Sequence, residues 1–114
     1  MDLWQQITQK IRELSDTVKA LRKSGTAYAK AQMRYRILLA KEIARLRLEG
    51  IPVTIVGDLA RGNEEVAKAK YEEIVAETEY KADDALINSN KLEIRVIENQ
   101  LNREWGVAKY DGIK

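Results

Sequence analysis

Within its first 21 residues the chain sets Trp4, Ile7, Ile11, Leu14, Val18 and Leu21 at spacings that alternate between three and four. That alternation draws a narrow apolar seam along one side of a helix, the pattern by which helices meet in coiled coils and bundles. A chain opening this way is committed to helix-on-helix packing. Composition agrees: 45% of residues are apolar and 33% charged, with one proline, six glycines and no phenylalanine, a profile of long helices bathed in solvent. At 114 residues the expectation is a single helical domain over residues 1–105 and a flexible C-terminal tail over 106–114.

The first helix is predicted from an N-cap at Asp2 to about Lys23. Ser24-Gly25-Thr26 then leaves two readings open. A glycine after Arg22-Lys23 looks like a helix C-terminus, with cations near the negative dipole end, and favours a break. Yet the ladder extended by the same rule lands on Gly25, Tyr28, Gln32, Tyr35, Leu39, Glu42 and Leu46. Much of the register therefore survives, and a mid-helix glycine costs only about 1 kcal/mol. The break is the preferred reading and an unbroken helix the alternative. Residues 27–49 are rich in helix formers. Gly50 and Pro52 then stop the helix.

Residues 50–62 are read as one short irregular connection, either a brief extended piece or a single helical turn capped by Thr54. Its apolar side chains, Ile51, Val53, Ile55, Val56 and Leu59, are expected to plug an end of the bundle. Asn63 followed by Glu64 and Glu65 is a strong helix start, and no proline or glycine intervenes from there to Trp105. On this last helix Tyr71, Ile74, Val75, Thr78, Ala82, Ala85, Leu86, Ser89, Leu92 and Val96 share one face. Ile87, Ile94, Ile97, Leu101 and Trp105 form a second face well away from it. The fold class is thus all-α, a long antiparallel helical bundle or coiled coil of two or three helices. Two apolar faces on one helix call for two partners. The first face is expected to pack within the chain. The second is covered either by another helix of the chain or by a homodimer or target protein, which makes Ile87, Ile94, Ile97, Leu101 and Trp105 the candidate protein interface.

Charge is unevenly spread. Residues 1–50 carry eleven Lys/Arg against five acids, a balance of +6, while residues 51–114 carry nine against thirteen, a balance of −4. Antiparallel packing of the two halves neutralises much of this. The alternative is an exposed basic band, Lys30, Arg34, Lys41 and Arg45, whose spacing suits a nucleic-acid backbone. Tyr28 and Tyr35 fall at heptad positions and are read as core rather than as stacking platforms for bases.

Chemistry finds little to work with. The chain has no histidine and no cysteine, which removes the commonest general base, every Ser-His or Cys-His nucleophile system, thiolate metal sites and disulfides. Glu73, Glu77 and Asp84 lie near one helical side, but helical di-metal sites normally add Glu-x-x-His. The loop Gly57-Asp58-Leu59-Ala60-Arg61-Gly62 lacks the Gly-Lys-Ser/Thr ending of a phosphate loop. The expectation is therefore a non-enzymatic chain with no metal and no cofactor. The start lacks a basic region followed by an apolar one, and no run approaches a membrane span. A soluble, cytoplasmic protein with no membrane partner is expected.

Arg45-Leu46-Arg47-Leu48-Glu49-Gly50-Ile51-Pro52-Val53-Thr54, then Asp58 to Gly62, Lys91-Leu92-Glu93-Ile94-Arg95 and Gln100-Leu101-Asn102-Arg103-Glu104-Trp105, together resemble a group of short helical accessory proteins encoded by phages and prophages of Gram-positive bacteria. The resemblance lies in overall pattern and spans most of the chain. It implies a viral origin and a bacterial cytoplasm, and it carries over no functional residue. The functional expectation is a helical protein–protein interaction module that inhibits or modulates a host defence or DNA-processing complex. Its partner is then a host or phage protein, with homodimerisation as a further option. Nucleic-acid binding through residues 30–47 is the alternative.

Overall fold

The computed structural model describes the backbone of residues 2–113 and the side chains of residues 2–106. Three helices follow one another: α1, Leu3–Leu48; α2, Val53–Arg61; and α3, Glu64–Ile113. No strand occurs among the described residues, and the fold is all-α as the heptad pattern requires. The flexible tail expected over 106–114 falls, from residue 107 onward, outside the residues whose side chains are described.

Local chemistry accounts for the helix ends. Asp2 Oδ1 accepts from the Gln5 backbone N–H at 2.8 Å while Gln5 Oε1 accepts from the Asp2 N–H at 3.2 Å. This reciprocal capping box satisfies two donors that the first turn leaves unpaired. At the other end of α1, Gly50 adopts φ +89, the left-handed conformation that glycine enters without steric cost. The Ile51 N–H then reaches the Leu46 carbonyl and the Gly50 N–H the Arg47 carbonyl, both at 3.1 Å, completing a Schellman motif. Arg47 Nη1 clamps the following backbone by donating to the Ile51 carbonyl at 2.7 Å. Asn63 Oδ1 caps α3 by accepting from the N–H groups of Glu65 at 2.9 Å and Val66 at 3.2 Å.

Two sequence expectations need correction. The connection over 50–62 is not irregular, because its middle forms α2. Thr54 does not cap it. Pro52 occupies the N-cap position with no side-chain bond, which suits a residue whose φ is already near the helical value. Val56 and Ala60, four residues apart, turn inward, whereas Val53, Ile55 and Leu59 are exposed. The second correction concerns Ser24-Gly25: α1 passes through both without a break. A Cβ built on Gly25 would stand 3.2 Å from Cε2 and 3.4 Å from Cδ2 of Tyr80. The glycine is therefore the seat of an aromatic ring, and this packing offsets the roughly 1 kcal/mol of lost helix propensity.

The chain divides into two compact units, one of residues Met1–Leu21 and Ala82–Lys114, the other Arg22–Lys81. In the first, Thr17 meets Asn90 and Lys10 meets Glu93, so α1 and α3 run antiparallel. The residues that α3 buries or half-buries here are Asp83, Ile87, Asn90, Ile94, Ile97 and Leu101, an alternation of four and three, with Glu93 half-buried beside them. In the second unit Tyr28 meets Tyr80, Arg34 meets Glu72 and Tyr35 meets Lys70, again antiparallel. There α3 turns Val66, Ala69, Glu73, Ala76 and Tyr80 inward. A cluster of Leu46, Val56 and Ala60, flanked by Leu39, Ile43 and Ile51, joins α1 to α2. Among the described residues no helix is long and apolar enough to cross a membrane.

Candidate protein-interaction surfaces

In the first unit α3 carries two apolar ladders offset by two residues, hence about 200° apart around the helix. The structure covers the second ladder from within the chain, one of the two readings the sequence leaves open, and turns the first ladder outward. Ile87 and Ile97 are only 6% and 8% exposed, and Ile94 and Leu101 are half-buried. Four of the five candidate interface residues are therefore occupied by packing inside the chain, and Trp105 alone is exposed. The ladder expected to be internal faces outward: Leu92 is 59% and Val96 56% exposed, and Ala82, Ala85, Leu86 and Ser89 are exposed with them. Side-chain size supplies the reason. Three of the six outward residues are Ala or Ser, whereas the inward set brings three isoleucines and a leucine, and each additional buried CH₂ contributes about 0.8 kcal/mol.

Polar groups complete the choice of face. Asn90 Nδ2 donates to Thr17 Oγ1 at 3.1 Å in a buried setting, and Thr17 Oγ1 donates to the Glu13 carbonyl at 2.7 Å. Lys10 Nζ bridges Glu93 and Glu13, and those two carboxylates, Glu93 foremost, hold its ammonium pKa above the ordinary lysine value. Seating these groups rotates the seam of α1. Ile7, Leu14 and Leu21 stay on it, while Leu3, Lys10 and Thr17 take the positions one residue before Trp4, Ile11 and Val18. Trp4 is left 71% exposed and Ile11 is exposed too, a correction to the opening ladder. Beside Trp4, at the end of this unit, lies a groove of about 620 Å³ lined by Ile7, Leu101, Glu98, Glu104 and Trp105.

In the second unit Tyr71, Ile74, Val75 and Thr78 of α3 are exposed, as are Met33 and Ile37 of α1. Tyr28 and Tyr80 pack ring on ring, centroids 5.9 Å apart, and the Lys70 ammonium sits 4.8 Å over the Tyr35 ring. Tyr28 and Tyr35 are half-buried, in line with a place in the core rather than with base stacking. The basic band is partly spent inside the chain. Arg34 pairs with Glu72 at 3.3 Å, and Arg45 is held between Glu42 at 2.6 Å and Glu49 at 2.7 Å. The Arg45 guanidinium pulls the Glu42 carboxyl below its usual pKa, and Lys81 does the same to Glu77 at 2.7 Å. Lys30 and Lys41 are exposed and carry no ion pair among the described residues.

No protein family, curated protein or solved structure matches the chain.

Among the described residues no group of three or more acidic, His or Cys side chains is placed to hold a metal ion. Asp58 and Arg61 form an exposed pair within α2 at 3.4 Å. Glu73 is buried with Oε2 unpartnered and Oε1 3.4 Å from Lys70, a polar position inside the packed seam. The exposed residues that sequence reasoning assigned to the wrong side, Leu92 and Val96 above all, were visible as a ladder. What was missing was the comparison of side-chain size between the two ladders.

Proposed function

We propose that this chain is a non-enzymatic helical interaction module that presents the outward ladder of α3 to a helix of another molecule. The observation that carries this reading is the exposure of Ala85, Ser89, Leu92 and Val96 in one unit, four, three and four residues apart as a partner helix would need, with Leu86 exposed at the edge of the same face. Tyr71, Ile74 and Val75 are likewise exposed in the other unit. Apolar rows of this kind on a solvated helix are typical of protein-docking faces. The sequence resemblance makes the proposal concrete as a phage-encoded inhibitor or modulator of a host defence or DNA-processing complex in the bacterial cytoplasm. Nucleic-acid binding by the basic band is the weaker reading, because Arg34 and Arg45 already have carboxylate partners.

The test compares the two ladders. Leu92→Glu with Val96→Glu should leave helical circular dichroism unchanged and abolish self-association or complex formation in light scattering. Ile94→Glu with Leu101→Glu should instead lower the melting temperature and helicity, since those side chains pack inside the chain. Assembly that survives the first pair of substitutions would remove the outward ladder as the interface.

A further inference from the structure

We propose that the groove beside Trp4 and Trp105 is a docking site for a cationic amphipathic helix of another protein. Both tryptophans of the chain border this groove, and they are 71% and 73% exposed. Tryptophan is the residue type most enriched where binding energy concentrates. Ile7 and Leu101 provide apolar lining between them. A volume of about 620 Å³ holds a few large side chains rather than a whole helix. It therefore suits the anchors that a helix presents at positions i, i+3 and i+4.

Charge selects the kind of helix. Glu98 and Glu104 line the groove, no Lys or Arg does, and neither carboxylate has an ion pair among the described residues. Two exposed indoles border the same space, and an indole is the aromatic group that attracts a cation best. An ammonium or guanidinium next to an aliphatic anchor thus meets carboxylates, indoles and apolar lining together, whereas an acidic helix meets the same apolar lining against the repulsion of two carboxylates. The site stands on residues other than Leu92 and Val96, so either surface can fail without the other.

Tryptophan emission tests this directly, because no other tryptophan contributes signal. The full chain is titrated with a synthetic amphipathic helix of Leu, Ala and Lys, and with a twin carrying Glu in place of every Lys. The Lys peptide should shift the emission to the blue with a saturable curve, and the Glu peptide should bind at least about tenfold more weakly. Glu98→Gln with Glu104→Gln should weaken the Lys peptide several-fold and leave the free protein's spectrum unchanged, while Leu92→Glu with Val96→Glu should bind it as wild type does. An equal response to both peptides, or no response, overturns the proposal. A blue shift on concentrating the protein without peptide overturns it too, since a second copy would then be the occupant.

Discussion

Replacing Gly25 by alanine should change sign with the residue at position 80. An interior glycine leaves a helix about 1 kcal/mol less stable than alanine, so Gly25→Ala at an open position of α1 would raise stability by that amount. Here the added Cβ would lie 3.2 Å from Tyr80 Cε2 and 3.4 Å from Cδ2, and the ring must give by a few tenths of an ångström. The ring is not free to do so, because Tyr28 packs against it with centroids 5.9 Å apart. Overpacking of this kind costs about 1–3 kcal/mol. Against the recovered propensity, the net effect is a loss of about 0–2 kcal/mol in the native background. In a Tyr80→Ala background the obstruction is gone, and the same substitution should stabilise by about 1 kcal/mol. The two backgrounds then differ by about 1–3 kcal/mol, a coupling that a double-mutant cycle resolves. Urea unfolding followed by far-ultraviolet circular dichroism is the assay, and with a slope of about 1–3 kcal/mol per molar the difference is on the order of 1 M in midpoint. If Gly25→Ala raises the midpoint equally in both backgrounds, Gly25 is not the seat of Tyr80 and another cause must carry α1 through it.

The buried Thr17–Asn90 pair predicts an asymmetric cycle. Thr17→Val strands the Asn90 amide and should cost about 1–3 kcal/mol, whereas Thr17→Val with Asn90→Leu makes the layer apolar and should recover most of that in the same urea assay; a double variant as unstable as the single one would show that the bond is incidental. Acid should weaken the fold through Glu42 and Glu77, whose folded pKa values lie below the ordinary 4.5. Their contribution is complete above that value and disappears as pH falls through the depressed folded values, so Glu42→Gln with Glu77→Gln should flatten the decline of melting temperature below pH 4.5, and an unaltered decline would contradict the assignment.

Local signals in the chain were read well where one residue decides the outcome. Asp2, Asn63 and the Gly50–Pro52 stop each act through bonds to backbone within a few positions, and all appear where the residues suggest. Gly25 was ambiguous because its role depends on Tyr80, 55 positions away in the chain. The connection was misread for a related reason. Nine residues with a glycine inside and a proline before them have little independent helix tendency, and α2 gains its stability by setting Val56 and Ala60 against Leu46. The Trp4–Trp105 groove was invisible as a unit, since its two tryptophans come from opposite ends of the chain and were assigned to separate ladders.

Periodicity and capping chemistry, both properties of a single stretch of chain, were enough to determine that this protein is helical, where α1 begins and ends, where α3 begins, and that α3 carries two apolar faces. Only tertiary structure decided which face is used inside. The heptad rule is satisfied equally by both, so the choice falls to interactions between distant residues: the larger apolar area of Ile87, Ile94, Ile97 and Leu101, the hydrogen bond between Thr17 and Asn90, and the ion pair between Lys10 and Glu93. Those contacts turn Leu92 and Val96 to solvent.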